Sequence, residues 1–304
     1  MAYRLIAAER ADSTIDIDTK LGVVRMTELL GVSRSGYYDW RHRAAGPPGP
    51  RAARRESLNK AILAAHAASD GVNGAPRITA DLRAAGELVN RKTVAKVMAG
   101  LGIQGISPRP WRVTTITDRD ADRHPDLVER AFDTGQLDAV WISDITYLAT
   151  GQGWLYLTVV RDACSRRVLG WAIEDHQRAE LVTQAMAMAV ALRGGERPDR
   201  VVFHADRGSQ YTSRTVLDYA TDHGLTCSVG ATGVCWDNAM AESFWATLKV
   251  EFYYRRSWPT KALARRAVAE WITTTYNTRR RHSALGMQTP LQFELHKRGL
   301  TLAA

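Results

Sequence analysis

Three cysteines stand in 304 residues, Cys164, Cys227 and Cys235, with no C-x-x-C pair among them. That excludes a disulfide framework and a cysteine zinc site. No apolar run approaches the 18 residues of a membrane span, and the opening MAYRLIAAERADST carries charge where a signal peptide needs an apolar segment. The longest apolar helical stretch, Leu181 to Leu192, is broken by Thr183 and Gln184 and reads as a core helix. A cytoplasmic chain of two or three domains is the expectation. Internal repeats and sustained heptads are also missing.

What is present is positive charge, unevenly placed. The net charge is +9. Residues 51–112 carry 11 Lys/Arg against 4 Asp/Glu, residues 249–304 carry 11 against 3, and residues 131–248 between them carry 9 against 14. Basic flanks around an acidic centre suit a polyanion gripped at the sides, with the centre kept for metal or chemistry.

Punctuation divides the chain. AGPPGP (Ala45 to Pro50) ends an N-terminal segment, 1–45, in which RMTELLGVSRSGYYDWRHR has helix-turn-helix spacing with Ser33 as the second helix's cap. Gly36 inside that helix counts against it. Residues 51–106 read as a second helical unit with three apolar stripes: Leu58, Ile62 and Leu63; Ile78, Leu82 and Ala85; and Val94, Val97, Met98 and Leu101. Arg91, Lys92 and Lys96 sit on the polar side of its last helix, where they suit phosphate contact. Residues 107–130 lack periodicity and read as a linker, and residues 256–304 form a basic C-terminal helical segment.

Within 131–255 the pattern turns to strands. VWISDITYLA, GWLYLTVVRDA and RRVLGWAIED are joined by very short connections and predict an antiparallel meander. A helix from Ala179 to Leu192, the strand VVFHAD, a helix from Ser213 to His223 and the strand TCSVG follow. Strands returning through helices pair in parallel, so the expectation is an α/β fold with a mixed five-stranded sheet flanked by helices.

Asp144 falls mid-strand on the face shared with Val140, Ile142, Thr146 and Leu148, where an unpaired carboxylate costs several kcal/mol, ~2–7. It needs an arginine, a hydrogen-bond network or a metal. Asp206 ends the first strand after the crossover, so the two aspartates meet if those strands pair in parallel. WDNAMAESFWATLKVEFYY reads as a helix capped by Asp237 or Asn238, with Glu242 in its early turns, an apolar stripe of Phe244, Leu248 and Phe252, and Lys249 two turns beyond Glu242 on one side. Two aspartates and a glutamate offer the hard oxygen ligands that suit Mg²⁺ or Mn²⁺. Two such ions activate an attacking oxygen and stabilise a leaving oxygen at a phosphodiester. His204, His282 and His296 read as hydrogen-bonded structural histidines. Trp141, Trp154, Trp171, Trp236 and Trp245 read as core or edge aromatics.

WISDITYL, FHADRGSQYTS and WDNAMAESFWATLKVE resemble the three motifs of the retroviral-integrase-like bacterial insertion-sequence transposases. NGAPRI (Asn73 to Ile78) and YNTRRRHSALGMQTP (Tyr276 to Pro290) are similar to the family's flanking signatures. Asp206 and Glu242 keep the 35 intervening residues that define the family's acidic triad. The resemblance implies a ribonuclease-H-like core preceded by helical DNA-binding units, with Asp144, Asp206 and Glu242 as catalytic metal ligands for two Mg²⁺ ions. It implies DNA contacts from Lys249, and the basic residues Arg77, Arg91, Lys92, Lys96, Arg279, Arg280 and Arg281 are candidates beside it. Cleavage and strand transfer at element ends would proceed by transesterification, on double-stranded DNA, in a nucleoid-associated homo-oligomer. In related elements this frame is fused to an upstream one. Ser143, Ala205 and Asn73 depart from the usual threonine, serine and tyrosine without removing a ligand. A non-catalytic DNA-binding regulator and a ribonuclease-H-type nuclease on RNA–DNA hybrids are the alternatives.

Overall fold

The computed structural model describes residues 1–11, 21–47, 49–106, 127–128, 134–194, 200–229 and 239–300. Residues 107–126 of the expected linker, Trp236 and the proposed caps Asp237 and Asn238 lie outside them.

The strands are β1 (Val140–Thr150), β2 (Gly153–Asp162), β3 (Val168–Glu174), β4 (Val201–Ala205) and β5 (Leu225–Val229), in the order β3-β2-β1-β4-β5. β1, β2 and β3 form the antiparallel meander, while β4 pairs parallel with both β1 and β5. This is the mixed five-stranded sheet the sequence predicts, and helices cover both faces.

Alternation along β1 decides what each face meets. Trp141, with Val160, Leu169 and Phe203, packs under α7 (Ala179–Arg193) and α8 (Arg214–Asp222). α7 seats closely because β3 has glycine at position 170. A Cβ there would collide with the Ala185 carbonyl and the Ala189 amide of α7. Backbone cannot yield as a side chain can, so Gly170→Ala is expected to cost at least the ~1–3 kcal/mol typical of overpacking, read from a denaturant midpoint. An unchanged midpoint would mean that α7 does not sit this close.

The opposite face carries Leu148, Leu155, Leu157 and Val159 against α9 (Ala239–Glu251) and α10 (Lys261–Glu270). α10 runs on as a π-helical turn, Trp271–Tyr276. Trp258, Val268, Trp271, Ile272 and Tyr276 lie in one cluster with these strand residues. The described part of the C-terminal segment, 256–300, therefore adds to the core layer on this face. The signature from Tyr276 to Pro290 supplies the fastenings. Tyr276 meets Phe244 edge-on at 4.8 Å, and the Asn277 amide both donates to Val168 O (2.9 Å) and accepts from Val168 N (3.0 Å). Thr289 and Gln292 form a capping box that starts α11 (Pro290–Lys297).

The N-terminal helices pack around two small cores. α1 (Ala2–Ala11), α2 (Val23–Leu29) and α3 (Arg34–Ala45) enclose Ile6, Met26 and Tyr37, and Ser33 caps α3 by accepting from Gly36 N (3.3 Å). Gly36 does not interrupt α3, and it leaves room for the Tyr3 hydroxyl, which a Cβ there would meet and push aside. α4 (Pro50–Ala68), α5 (Ala75–Ala84) and α6 (Arg91–Gly100) bury Leu58, Ile62, Ile78, Leu82, Val94, Val97 and Met98. Leu63 faces solvent, since a residue next to Ile62 is turned about 100° from it, and Ala85 is likewise exposed.

No helix among the described residues is long and apolar enough to cross a membrane.

Candidate active site

The β1–β4 register runs Val140↔Val202, Trp141↔Phe203, Ile142↔His204. Two further steps along the parallel strands bring Asp144 beside Asp206, on the face covered by α9. Asp144 is held at both oxygens: Oδ1 accepts from Ile145 N (2.8 Å) and Oδ2 from Trp245 Nε1 (2.9 Å). Asp206 ends its strand in a turn, its Oδ1 accepting from Gly208 N (3.0 Å). The loop beyond it is pinned by Tyr211, whose buried hydroxyl meets Ser143 Oγ (3.0 Å) and Thr158 Oγ1 (3.3 Å). The turn and the loop are thus one device that fixes the second aspartate at the sheet's edge.

Glu242 lies half-buried in the first turn of α9, and Lys249 stands two turns further along. The Lys249 ammonium sits 5.1 Å over the Tyr147 ring, and burial lowers its proton affinity while Asp144 raises it. Trp245 follows Glu242 by three and precedes Lys249 by four, so all three share one side of α9. That spacing was the readable signal that Trp245 belongs to the site rather than to the core alone.

Burial raises the proton affinity of all three carboxyls, as it does that of Asp162. Burial, then Asp206, push Asp144 up to about 7, against the Trp245 and Ile145 hydrogen bonds; Glu242 adds a smaller upward push. Desolvation also raises Asp206, against the Gly208 amide and His204, and raises Glu242. Three other buried carboxylates have cationic partners: against the upward push of burial, arginines lower Glu251 and Glu294, and Asp138 pairs with Arg193. Asp162 accepts from Asp138 N, Ser165 N and Ser165 Oγ. Among the described residues no lysine or arginine forms an ion pair with Asp144, Asp206 or Glu242. Three oxygen donors with raised proton affinity and no cationic partner fit a divalent cation.

A tighter group exists. Glu174, Asp175 and His176 at the end of β3 bring their ligand atoms within 4.8 Å of one another, which the triad does not. Those carboxylates already face cations, Glu174 with Arg265 and Asp175 with Lys261.

The raised Asp144 carboxyl has a consequence with a definite sign. A carboxyl whose folded pKa is near 7 binds more protons in the folded than in the unfolded state between about pH 4 and 7. Metal-free stability therefore falls as pH rises through that window. A cation takes the place of that proton, so the rise in melting temperature caused by Mg²⁺ is expected to be small at pH 5 and larger at pH 8. Equal shifts at both values would contradict the assignment.

The other basic candidates separate by position. Arg91, Lys92 and Lys96 on α6 and Arg279 are exposed. Arg77, Arg280 and Arg281 are half-buried in ion pairs, so of the basic run only Arg279 is exposed among the arginines. Arg280 grips Glu251 through Nε and Nη2 (both 2.7 Å), Arg77 meets the same carboxylate at 3.1 Å, and Arg281 pairs with Asp81. The histidines are structural where described: His204 bonds Ser228 Oγ (3.0 Å), His282 is buried, and His296 meets Gln288.

Residues 136–235 and 223–290 match integrase core domain models, and residues 53–111 match an HTH-like domain. With the sheet order and helix placement, this defines a ribonuclease-H-like, integrase-type core behind a helix-turn-helix-like unit. The chain is 36% identical over 275 residues, 90% of its own length and 94% of the relative's, to transposase InsF of insertion sequence IS3A from Escherichia coli strain K12. Among solved structures it aligns with the HTLV-2 integrase catalytic core domain in complex with magnesium, over 52% of this chain and 96% of that one, at 18% identity and a TM-score of 0.40. It also aligns with a simian T-cell lymphotropic virus intasome at 15% identity and a TM-score of 0.46, over 79% and 76% of the two chains. The chain belongs to the IS3-type insertion-sequence transposases.

Proposed function

We propose that this chain cuts and joins DNA at the ends of its insertion element, with two Mg²⁺ ions, or Mn²⁺ in their place, held by Asp144, Asp206 and Glu242. The observation that supports this most is the triad without an ion pair: three carboxyls gathered between β1, the end of β4 and α9, in a molecule that pairs its buried Glu251, Glu294 and Asp138 with arginines. Bound there, the ions would activate the attacking oxygen and stabilise the leaving oxygen of a phosphodiester in line.

The chain's own groups do the positioning. Trp245 and the Ile145 amide fix the Asp144 rotamer, the Gly208 amide fixes Asp206, and α9 carries Glu242 in against them. Lys249, on the same side of α9, offers its ammonium to a DNA phosphate at the edge of the site. Water is the first nucleophile, freeing a 3′-hydroxyl at the element end. That hydroxyl then attacks a second phosphodiester, with no covalent enzyme intermediate. Arg91, Lys92 and Lys96 on α6 and Arg279 of the C-terminal segment, all exposed, take backbone phosphates. Pairing two element ends makes the working form a homo-oligomer on DNA in the nucleoid, joined or assisted by the product of an upstream frame.

The test is a labelled duplex ending in the element's terminal repeat, incubated with the chain and Mg²⁺, beside an RNA–DNA hybrid of the same length. End-specific nicking and joining of the duplex is the expected result. Cutting confined to the hybrid would favour a ribonuclease, and tight binding without cutting would favour a regulator.

A further inference from the structure

On the other side of α9 from Glu242 lies a cavity of about 140 Å³, bounded by β2, α5 and the segment 280–284. Four guanidinium groups line it: Arg77, Arg161, Arg166 and Arg280. Only one carboxylate, Glu251, is paired within this group, and it is shared by Arg77 and Arg280. No ion pair reaches Arg161 or Arg166 among the described residues. The nearest other acids are engaged elsewhere: Asp162 with Ser165 and the Asp138 amide, and Asp81 with Arg281.

Arg161 is the anomaly. It is 3% exposed, yet it has no carboxylate partner. Its Nη1 donates to Met240 O (2.9 Å), and its guanidinium lies 5.1 Å over the Phe244 ring. Its Nε, buried, has no partner at all. Bracing the start of α9 accounts for one nitrogen of three. A buried guanidinium without a counter-charge is costly, so the arrangement is incomplete as a purely structural one. His282 reports the same positive field: burial, Arg280, Arg161, Arg166 and Arg77 push its pKa down to about 2, so it stays neutral.

We propose that this cavity is a binding site for a single phosphate group. Planar guanidinium forks match phosphate oxygens in pairs, and the space far exceeds the ~10–15 Å³ that one water requires. Ser243, Ser283 and Ala284 are exposed at its mouth, so the phosphate of a larger molecule can enter. α9 is then a partition, with Glu242, Trp245 and Lys249 toward the acidic triad and Ser243 and Thr247 toward the phosphate. Through Met240, the same arginine that binds the anion braces the turn that carries Glu242. A DNA backbone phosphate is the source that the transposase reading supplies, and to that extent the proposal rests on it; inorganic phosphate shares the chemistry.

The test uses the full chain and two titrations. Inorganic phosphate is titrated calorimetrically at constant ionic strength without divalent metal, for wild type, Arg166→Gln and the exposed control Arg214→Gln. Arg166 is half-exposed and makes no ion pair, so its replacement leaves the fold intact, as a melting curve would verify. Saturable binding of one phosphate per chain, weakened about tenfold or more by Arg166→Gln and unchanged in the control, is expected. Duplex affinity is then measured against salt concentration, where each neutralised phosphate contributes ~0.9 to the slope. A slope reduced by about one phosphate in Arg166→Gln identifies the DNA backbone as the source. An unchanged slope with weakened phosphate binding identifies a free anion as the ligand. No phosphate binding together with an unchanged slope overturns the site. The first titration needs neither metal nor cleavage, so it stands even if the chain proves inactive on DNA.

Discussion

Asp206→Asn and Glu242→Gln are expected to lower single-turnover DNA cleavage by about three orders of magnitude, and Asp144→Asn at least as much. Each amide keeps the shape of its carboxyl but not the charge that retains a divalent ion. Metal activation is worth several kcal/mol of barrier, and ~1.4 kcal/mol is a factor of ten. The same substitutions are expected to leave the metal-free fold intact. Asp144→Asn should raise its melting temperature at pH 8, because a desolvated carboxyl beside Asp206 is replaced by a neutral group. Strand cleavage on a denaturing gel and thermal melts of the same preparations check both halves. Loss of activity accompanied by loss of fold would move these residues from chemistry to architecture.

The second large effect lies away from the metal ligands. Glu251→Gln is expected to destabilise the chain by ~3–5 kcal/mol in denaturant unfolding, the cost of leaving buried charge uncompensated. Glu251 ends α9, is 5% exposed, and joins Arg77 of the helix-turn-helix-like unit to Arg280 of the C-terminal segment. Removing its charge leaves two guanidiniums facing each other next to Arg161 and Arg166. The helical unit from 50 to 106 is fastened to the core by this contact and by Arg255 and Arg281 on Asp70 and Asp81. Faster proteolysis between residues 69 and 75 in Glu251→Gln would show the unit loosening. A variant as stable as wild type would mean that the three-way ion pair does not carry the docking.

The sheet was legible because its signals are local. Alternation fixes the faces of β1 and β2, short connections force the meander, and a helical return forces the parallel pairing that brings Asp144 to Asp206. The direction of an arginine is not local. Arg280 and Arg281 are neighbours in a basic run, yet their partners Glu251 and Asp81 lie 29 and 200 positions away. Nothing in the run itself distinguishes them from exposed Arg279. Trp245 was visible by spacing, but an aromatic on an apolar helix reads first as core, and it does pack there while its indole N–H serves Asp144. Tyr211 was hidden inside a turn motif whose glycine and aspartate already had a sufficient explanation. The C-terminal segment misled through composition: a basic count hid a piece whose Trp258, Trp271 and Tyr276 belong to the core.

The most direct test of the central claim, that Asp144, Asp206 and Glu242 form one cation site, is Mn²⁺ binding to the isolated chain followed by calorimetry without DNA. Binding is expected in wild type, lost in Asp144→Asn and Asp206→Asn, weakened in Glu242→Gln, and retained in the double variant Glu174→Gln, Asp175→Asn. Binding that survives in the triad variants and disappears in the double variant would place the ion at the end of β3 and contradict the account.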